Sequence, residues 1–223
     1  MPIAQFIDHT ILKQTTTAAD VAKVCNEAIA FDFAAVCIPP IYVAGAQNKL
    51  AGTPVKVATV VGFPFGYHAI ETKVAEAQNA ISCGANELDM VMNIAAFKNG
   101  NDEQLQNEVA AILTVSKPNG IVLKVIIESG ILTSEEIIRC CNIYKNFDVD
   151  FLKTSTGFAE KGATLEAVKI MRQHLPPHIQ IKASGGIKTF AFAQELIDAG
   201  ATRLGCSASI AIVQGQQAAD SNY

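Results

Sequence analysis

Two lysines close apolar runs in the same way. Lys153 ends the apolar part of "DVDFLKTSTGF" (Asp148–Phe158) and Lys182 ends that of "IQIKASGGI" (Ile179–Ile187), each followed by small residues and glycine. Taking an ammonium group out of water costs several kcal/mol unless something compensates. Desolvation and a nearby like charge both lower an amine's basicity. A neutral amine is a nucleophile, its natural partner is a carbonyl, and the product is a Schiff base. Lys124, in "VLKVIIES", precedes Lys153 by the same 29 residues that separate Lys153 from Lys182. Asp89, within "NELDMVMN", and Asp8, after a short apolar run, are carboxylates in apolar settings. One inward lysine paired with a carboxylate would be ordinary packing, but five ionisable residues in such runs are more than packing asks for.

The elements around them alternate along the chain. Candidate strands are Phe6–Asp8, Ala35–Ile38, Lys56–Val61, Glu87–Met92, Val122–Ile127, Asp150–Lys153, Ile179–Lys182 and Thr202–Gly205. Between them lie stretches such as "TTAADVAKVCNEAIAFD", "AIETKVAEAQNAISCGA", "NDEQLQNEVAAILTVSK", "TSEEIIRCCNIYKNF" and "TFAFAQELIDAGA", with apolar residues at helical spacing. Thr133-Ser134-Glu135-Glu136 is a helix start and Gly200 a helix stop. Such alternation means a parallel sheet covered by helices. Eight strands in 223 residues, with no GxGxxG or Walker motif for an open doubly wound sheet, predict the α/β class and a single (β/α)8 TIM barrel. No composition break marks a second domain, so residues 1–223 are read as one catalytic barrel, its tail flexible from about residue 215.

In such a barrel the chemistry sits at the C-terminal strand ends and in the loops that follow. Lys153 and Lys182 would then point from neighbouring strands into one mouth. "TSTG" (Thr154–Gly157), "SGG" (Ser184–Gly186) and "GCSAS" (Gly205–Ser209) follow strands six, seven and eight. Their glycines let backbone N–H groups approach an anion, and the loops after strands seven and eight, with a short helix N-terminus, are the usual barrel phosphate site. The residues therefore point to a phosphorylated aldehyde or ketone handled through a Schiff base. A transaldolase-like or other keto-sugar aldolase, a PLP enzyme with a barrel lysine, and a phosphosugar-binding barrel without catalysis share some of these features.

Composition excludes other classes. Net charge is −4 with scattered basic residues, so no basic stripe offers a nucleic-acid surface. Half the residues are hydrophobic, yet no run approaches a membrane span, because Asp32 and Pro39-Pro40 interrupt the nearest one. The N-terminus has no signal-peptide pattern, and the expectation is a soluble cytoplasmic protein. Six cysteines without CxxC or zinc spacing, and four dispersed histidines, predict no metal site.

At these residues the sequence resembles the deoxyribose-phosphate aldolases, class I aldolases with the (β/α)8 fold. The resemblance runs through "DHTIL", "VCIPPIYV", "VVGFPFG", "ELDMVMNI", "LKVIIESGILT", "FLKTSTGFAEKGAT" and "IKASGGI", with "KTSTGF" and "KASGG" the most specific. It implies reversible cleavage of 2-deoxy-D-ribose 5-phosphate to D-glyceraldehyde 3-phosphate and acetaldehyde, in deoxyribonucleoside catabolism, without metal or organic cofactor. By matching position, Lys153 would form the Schiff base. Lys182 would keep it neutral and join the proton relay, and Asp89 would donate and accept protons with Lys182 through a water. Asp8 and Lys124 would support the site, and Gly157, Gly185, Gly186 and Ser207 would contact the phosphate. The family often forms dimers, so a homodimer is the assembly the resemblance suggests.

Some positions depart from the family's pattern. Ala208 follows Ser207 where a second serine is common, which predicts modestly weaker phosphate binding. Pro39 stands where asparagine is frequent. The family's C-terminal tyrosine, thought to assist proton transfer, corresponds to Tyr223, here behind the flexible-looking "GQQAADSN". Cys37, near the end of strand two, is either a buried small residue or a thiol facing the mouth, where enals would add to it.

Overall fold

The computed structural model of the chain describes residues 2–216. In order the elements are β1 Ile7–Thr10, α1 Ala18–Ala30, β2 Ala35–Ile38, α2 Val43–Leu50, β3 Lys56–Val61, α3 Ile70–Ser82, β4 Glu87–Val91, α4 Ile94–Lys98, α5 Asp102–Ser116, β5 Val122–Ile126, α6 Ser134–Tyr144, β6 Phe151–Lys153, α7 Leu165–His174, β7 Gln180–Ser184, α8 Phe190–Asp198, β8 Arg203–Cys206 and α9 Ser209–Val213. All eight strands are parallel, each pairs with the next, and β8 closes on β1. The fold is the (β/α)8 barrel that the strand–helix alternation predicts. Residues 217–223, with Tyr223 and most of the expected tail, lie outside the described residues. Among the described residues no helix is long and apolar enough to cross a membrane.

Local chemistry starts several helices where the sequence places them. Thr17 and Asp20 form a reciprocal capping box at α1, and Thr133 and Glu136 form another at α6. Thr164 and Thr189 each accept a backbone N–H at the starts of α7 and α8. Gly200 ends the α8 region at φ +114°, a backbone state that side chains disfavour.

Strand ends differ from the sequence reading where polar residues are buried. Asp8 does not end β1, which runs on through His9 and Thr10. Both are hidden because both are satisfied: His9 meets Ser209 at 2.9 Å and Glu27 at 2.8 Å, and Thr10 donates to the Asp8 carbonyl at 2.8 Å. Nor does Lys182 close β7, since Ala183 and Ser184 go on pairing with Leu204 and Gly205 of β8. Hydrophobicity finds a strand's apolar part but not the polar residues its ladder still holds.

The apolar core lies mostly outside the barrel, between the strands' outer faces and the helices. The interior is divided. Under β2 and β3 it is apolar, with Ala35, Cys37, Ala58 and Val60 packed against Leu12. On the β4–β8 and β1 side it is ionic, and the candidate site lies there.

One buried ion pair stands outside the barrel. Lys73 of α3 meets Glu108 of α5 with neither side chain exposed. Lys73 also donates to the Val91 carbonyl at 2.7 Å, and Glu108 accepts the Asn93 N–H at 3.1 Å. The pair thus grips the C-terminal end of β4, two residues beyond Asp89. Lys73→Met should destabilise the protein by about 3–5 kcal/mol, because Glu108 would stay buried and uncompensated. The double variant Lys73→Met/Glu108→Leu should recover most of that loss in urea-denaturation midpoints.

Candidate active site

Register decides which side chains meet. Asp89 pairs with Lys124, Lys153 with Lys182, and Lys182 with Arg203 across neighbouring strands. Residues in register share a face of the sheet, here the interior. The equal sequence spacing of the three lysines does not give equal heights. Ile126, not Lys124, lies beside Lys153, and Lys124 lies beside Phe151, two residues deeper. The Phe151 ring floors this layer, 5.9 Å from the Lys124 ammonium and 5.4 Å from the Arg203 guanidinium.

Asp89 is the centre. Its Oδ1 accepts from Lys124 Nζ at 2.8 Å, and its Oδ2 accepts from Lys153 Nζ and Lys182 Nζ, both at 2.7 Å. Lys182 also donates to Asp8, whose other oxygen takes Arg203 at 2.7 Å. Glu87 bridges Lys124 at 2.5 Å and Arg203 at 3.1 Å. Three carboxylates therefore face four cationic side chains among the described residues. Lys153 is the cation whose ion-pair contact is with Asp89 alone. It also keeps a 3% exposure where Lys124 and Lys182 have none, so it stands nearest the mouth.

The electrostatics follow these contacts. Burial drives the Lys153 amine below the usual lysine range, and Lys182 repels its charge; Asp89 opposes both without prevailing. Burial also works against Lys182, but Asp8 and Asp89 outweigh it and hold that ammonium well above its ordinary value. Lys124 likewise overcomes burial through Asp89 and Glu87 and is raised. Burial would raise Asp89, yet Lys124, Lys153 and Lys182 hold its carboxyl well below the usual range. The cluster thus contains one amine of lowered basicity, an ammonium of raised basicity beside it, and a carboxyl of raised acidity touching both.

The apolar half faces this group. Cys37 is fully buried, with its Sγ 3.9 Å from Asp89 Oδ2, and burial pushes its thiol up. It is at once a buried residue and part of the wall beside the candidate nucleophile. Leu12, Val60, Phe63 and Phe158 continue that wall, with the two phenylalanine rings edge to face at 5.3 Å.

The glycine loops converge in part. Gly157, Gly185 and Gly186 have φ of 89°, 84° and 74°, conformations suited to glycine. A Cβ on Gly185 would lie 3.5 Å from the Gly157 Cα, so the loops after β6 and β7 touch. Ser184 N–H donates to Thr154 Oγ1 at 3.0 Å, and Ser184 Oγ to the Ser155 carbonyl at 2.6 Å. Ser207 is exposed in the loop after β8 and lines a cavity of about 200 Å3 with His9, Thr10 and Lys23. Ala208 occupies the N-cap position of α9 without a side-chain cap.

Sequence reasoning missed Glu87, Arg203 and Glu128. Glu87 was within reach, since it stands two residues before Asp89 on the same strand face. Arg203 opens β8, and only the β7–β8 register sets it beside Lys182. Glu128, in the loop after β5, is buried and bonded to Thr156.

In sequence and fold the chain is similar to known proteins. The sequence model of the DeoC/LacD family aldolases matches residues 3–215. The deoxyribose-phosphate aldolase of Geobacillus sp. (strain WCH70) is 48% identical over 221 residues, covering 99% of this chain and 98% of its own. That of Bacillus cytotoxicus is 46% identical over 224 residues, the full length of both. The tetrameric deoxyribose phosphate aldolase from Aeropyrum pernix superposes with a TM-score of 0.87 at 31% identity, covering 95% of this chain and 89% of that one.

Burial makes a specific statement about the thiols. Cys83 is the one cysteine of the six that is not buried. Iodoacetamide should label Cys83 in the native protein at neutral pH and reach Cys37 only on unfolding, as read by peptide mass spectrometry.

Proposed function

This chain belongs to the DeoC/LacD family of aldolases, and we propose from its site that it reversibly cleaves 2-deoxy-D-ribose 5-phosphate to D-glyceraldehyde 3-phosphate and acetaldehyde. The observation that carries the reading is Lys153: an inward lysine at the barrel mouth, lowered in pKa while Lys124 and Lys182 of the same cluster are raised. Its position at the C-terminal end of β6 is where barrels place their chemistry.

The steps follow from the charges. The neutral Lys153 amine adds to the C1 aldehyde of the open-chain sugar, and loss of water leaves a protonated imine. A base takes the proton of the C3 hydroxyl. The C2–C3 bond then breaks, its electron pair flowing into the imine to leave an enamine, while C3 departs as the aldehyde of glyceraldehyde 3-phosphate. Protonation of the enamine carbon gives the imine of acetaldehyde, and hydrolysis frees the product and Lys153. Asp89 is assigned the base, being ionised and bonded to both lysines. Lys182, firmly protonated through Asp8, is assigned the acid that returns the proton. Asp8 and Lys124 hold these two in place. Gly157, Gly185, Gly186 and Ser207 are assigned to the phosphate, on the ground that their loops offer backbone N–H groups beside the mouth. Consumption of a deoxysugar phosphate fits a role in deoxyribonucleoside catabolism.

Two experiments test this. Incubation with acetaldehyde and borohydride should fix a two-carbon group on Lys153, located by peptide mass spectrometry and prevented by prior 2-deoxyribose 5-phosphate. Labelling spread over surface lysines would end the Schiff-base assignment. The second is the pH–rate profile of Lys182→Met. Removing that cation relieves repulsion on the protonated Lys153 and frees Asp89 to attract it, so the Lys153 pKa rises. The acid limb of kcat/KM should move to higher pH, and kcat should fall by about 10²–10⁴-fold with the proton donor gone.

A further inference from the structure

Glu128 makes no ion pair among the described residues, although its charge and that of Lys153 attract each other, and it is built as though something depends on it. It follows β5 with φ 55° and ψ 55°, a left-handed state that among the described residues one other non-glycine, Asp32, shares. Its side chain is buried, at 4% exposure. Both carboxylate oxygens accept the Thr156 N–H, at 3.1 and 3.3 Å, and Oε2 also takes the Thr156 hydroxyl proton. The same Thr156 hydroxyl oxygen accepts the Phe158 N–H at 3.0 Å.

These bonds bracket Gly157. The N–H groups on either side of it, at Thr156 and Phe158, are turned back toward Glu128 and its hydroxyl relay. Next to this, the Ser129 N–H donates to the Thr154 carbonyl at 2.7 Å, so the loop after β5 supports the loop after β6 along its length. A peptide plane held on both sides has one orientation left to it. Only an acceptor that reaches Thr156 twice gives this particular restraint.

We propose that Glu128 is a positioning residue: through Thr156 it orients the Gly157 amide for the phosphate of the substrate, and so sets affinity for phosphorylated aldehydes rather than the rate at Lys153. The proposal rests on the aldolase reading for its substrate, but its anion site can be measured without catalysis. Glu128→Gly removes the carboxylate and suits the positive φ, so backbone strain does not confound the result. Its KM for 2-deoxyribose 5-phosphate should rise about tenfold, as expected for a lost charged hydrogen bond, with kcat within about twofold of the parent. Turnover of unphosphorylated 2-deoxyribose should also stay within about twofold, and borohydride trapping on Lys153 should persist. Thr156→Val should reproduce the effect and Thr156→Ser should not. Calorimetry with inorganic phosphate should show the same loss of affinity in Glu128→Gly. An equal fall for both sugars, or a KM and phosphate affinity matching the parent's, would overturn the proposal. A parent that binds phosphate but neither traps acetaldehyde nor cleaves the sugar would instead overturn the aldolase reading and leave the anion site standing.

Discussion

Asp89 is one carboxylate shared by three ammonium groups, and the barrel interior is organised around that shortage of negative charge. Asp8 and Glu87 serve Lys182, Lys124 and Arg203, so each of those cations has at least two carboxylate contacts. Lys153 has Asp89. In a medium where Coulomb interactions exceed those in water several-fold, four cations facing three carboxylates hold one proton loosely. The least supported ammonium, nearest the mouth, is the one whose basicity is lowered. Lys153 differs from its neighbours because its competitors for negative charge are better placed.

Such a cluster could not stand alone, since each buried charge costs solvation that its partners only partly return. The fold meets this by keeping its apolar packing outside the barrel, where the helices cover the strands. The interior needs only a small apolar patch under β2 and β3. That patch also lines one side of the space before Lys153, where low polarity favours the neutral amine. The Lys73–Glu108 pair ties two outer helices to the end of β4 and so to the strand that carries Asp89.

The loops divide the labour differently. The charged groups ride on strands, whose ladder fixes them closely. The glycine segments after β6 and β7 have positive φ and are fastened by side chains: Glu128 to Thr156, and Ser184 to Thr154 and Ser155. The ionic cluster and the glycine loops are thereby held by separate sets of bonds.

Alternation of strand and helix, the caps at Thr133 and Gly200, and the lysines at apolar run ends were all legible in the sequence. Each is a local pattern: hydrophobic period, side chain to nearby backbone, or a charge where none is expected. Glu87 was legible too, by its period-two relation to Asp89. The ends of β1 and β7 were not, because His9 and Ser184 are buried by partners far along the chain. Lys124 looked equivalent to Lys153 by spacing, yet strand register sets it deeper. Arg203 and Glu128 carry no local mark at all. The residue types and their order along the chain determined the barrel and marked the candidate amine. Which lysine is left short of negative charge was decided only when closure of the sheet set eight strands in register, since that balance depends on distances between residues 35 to 195 positions apart.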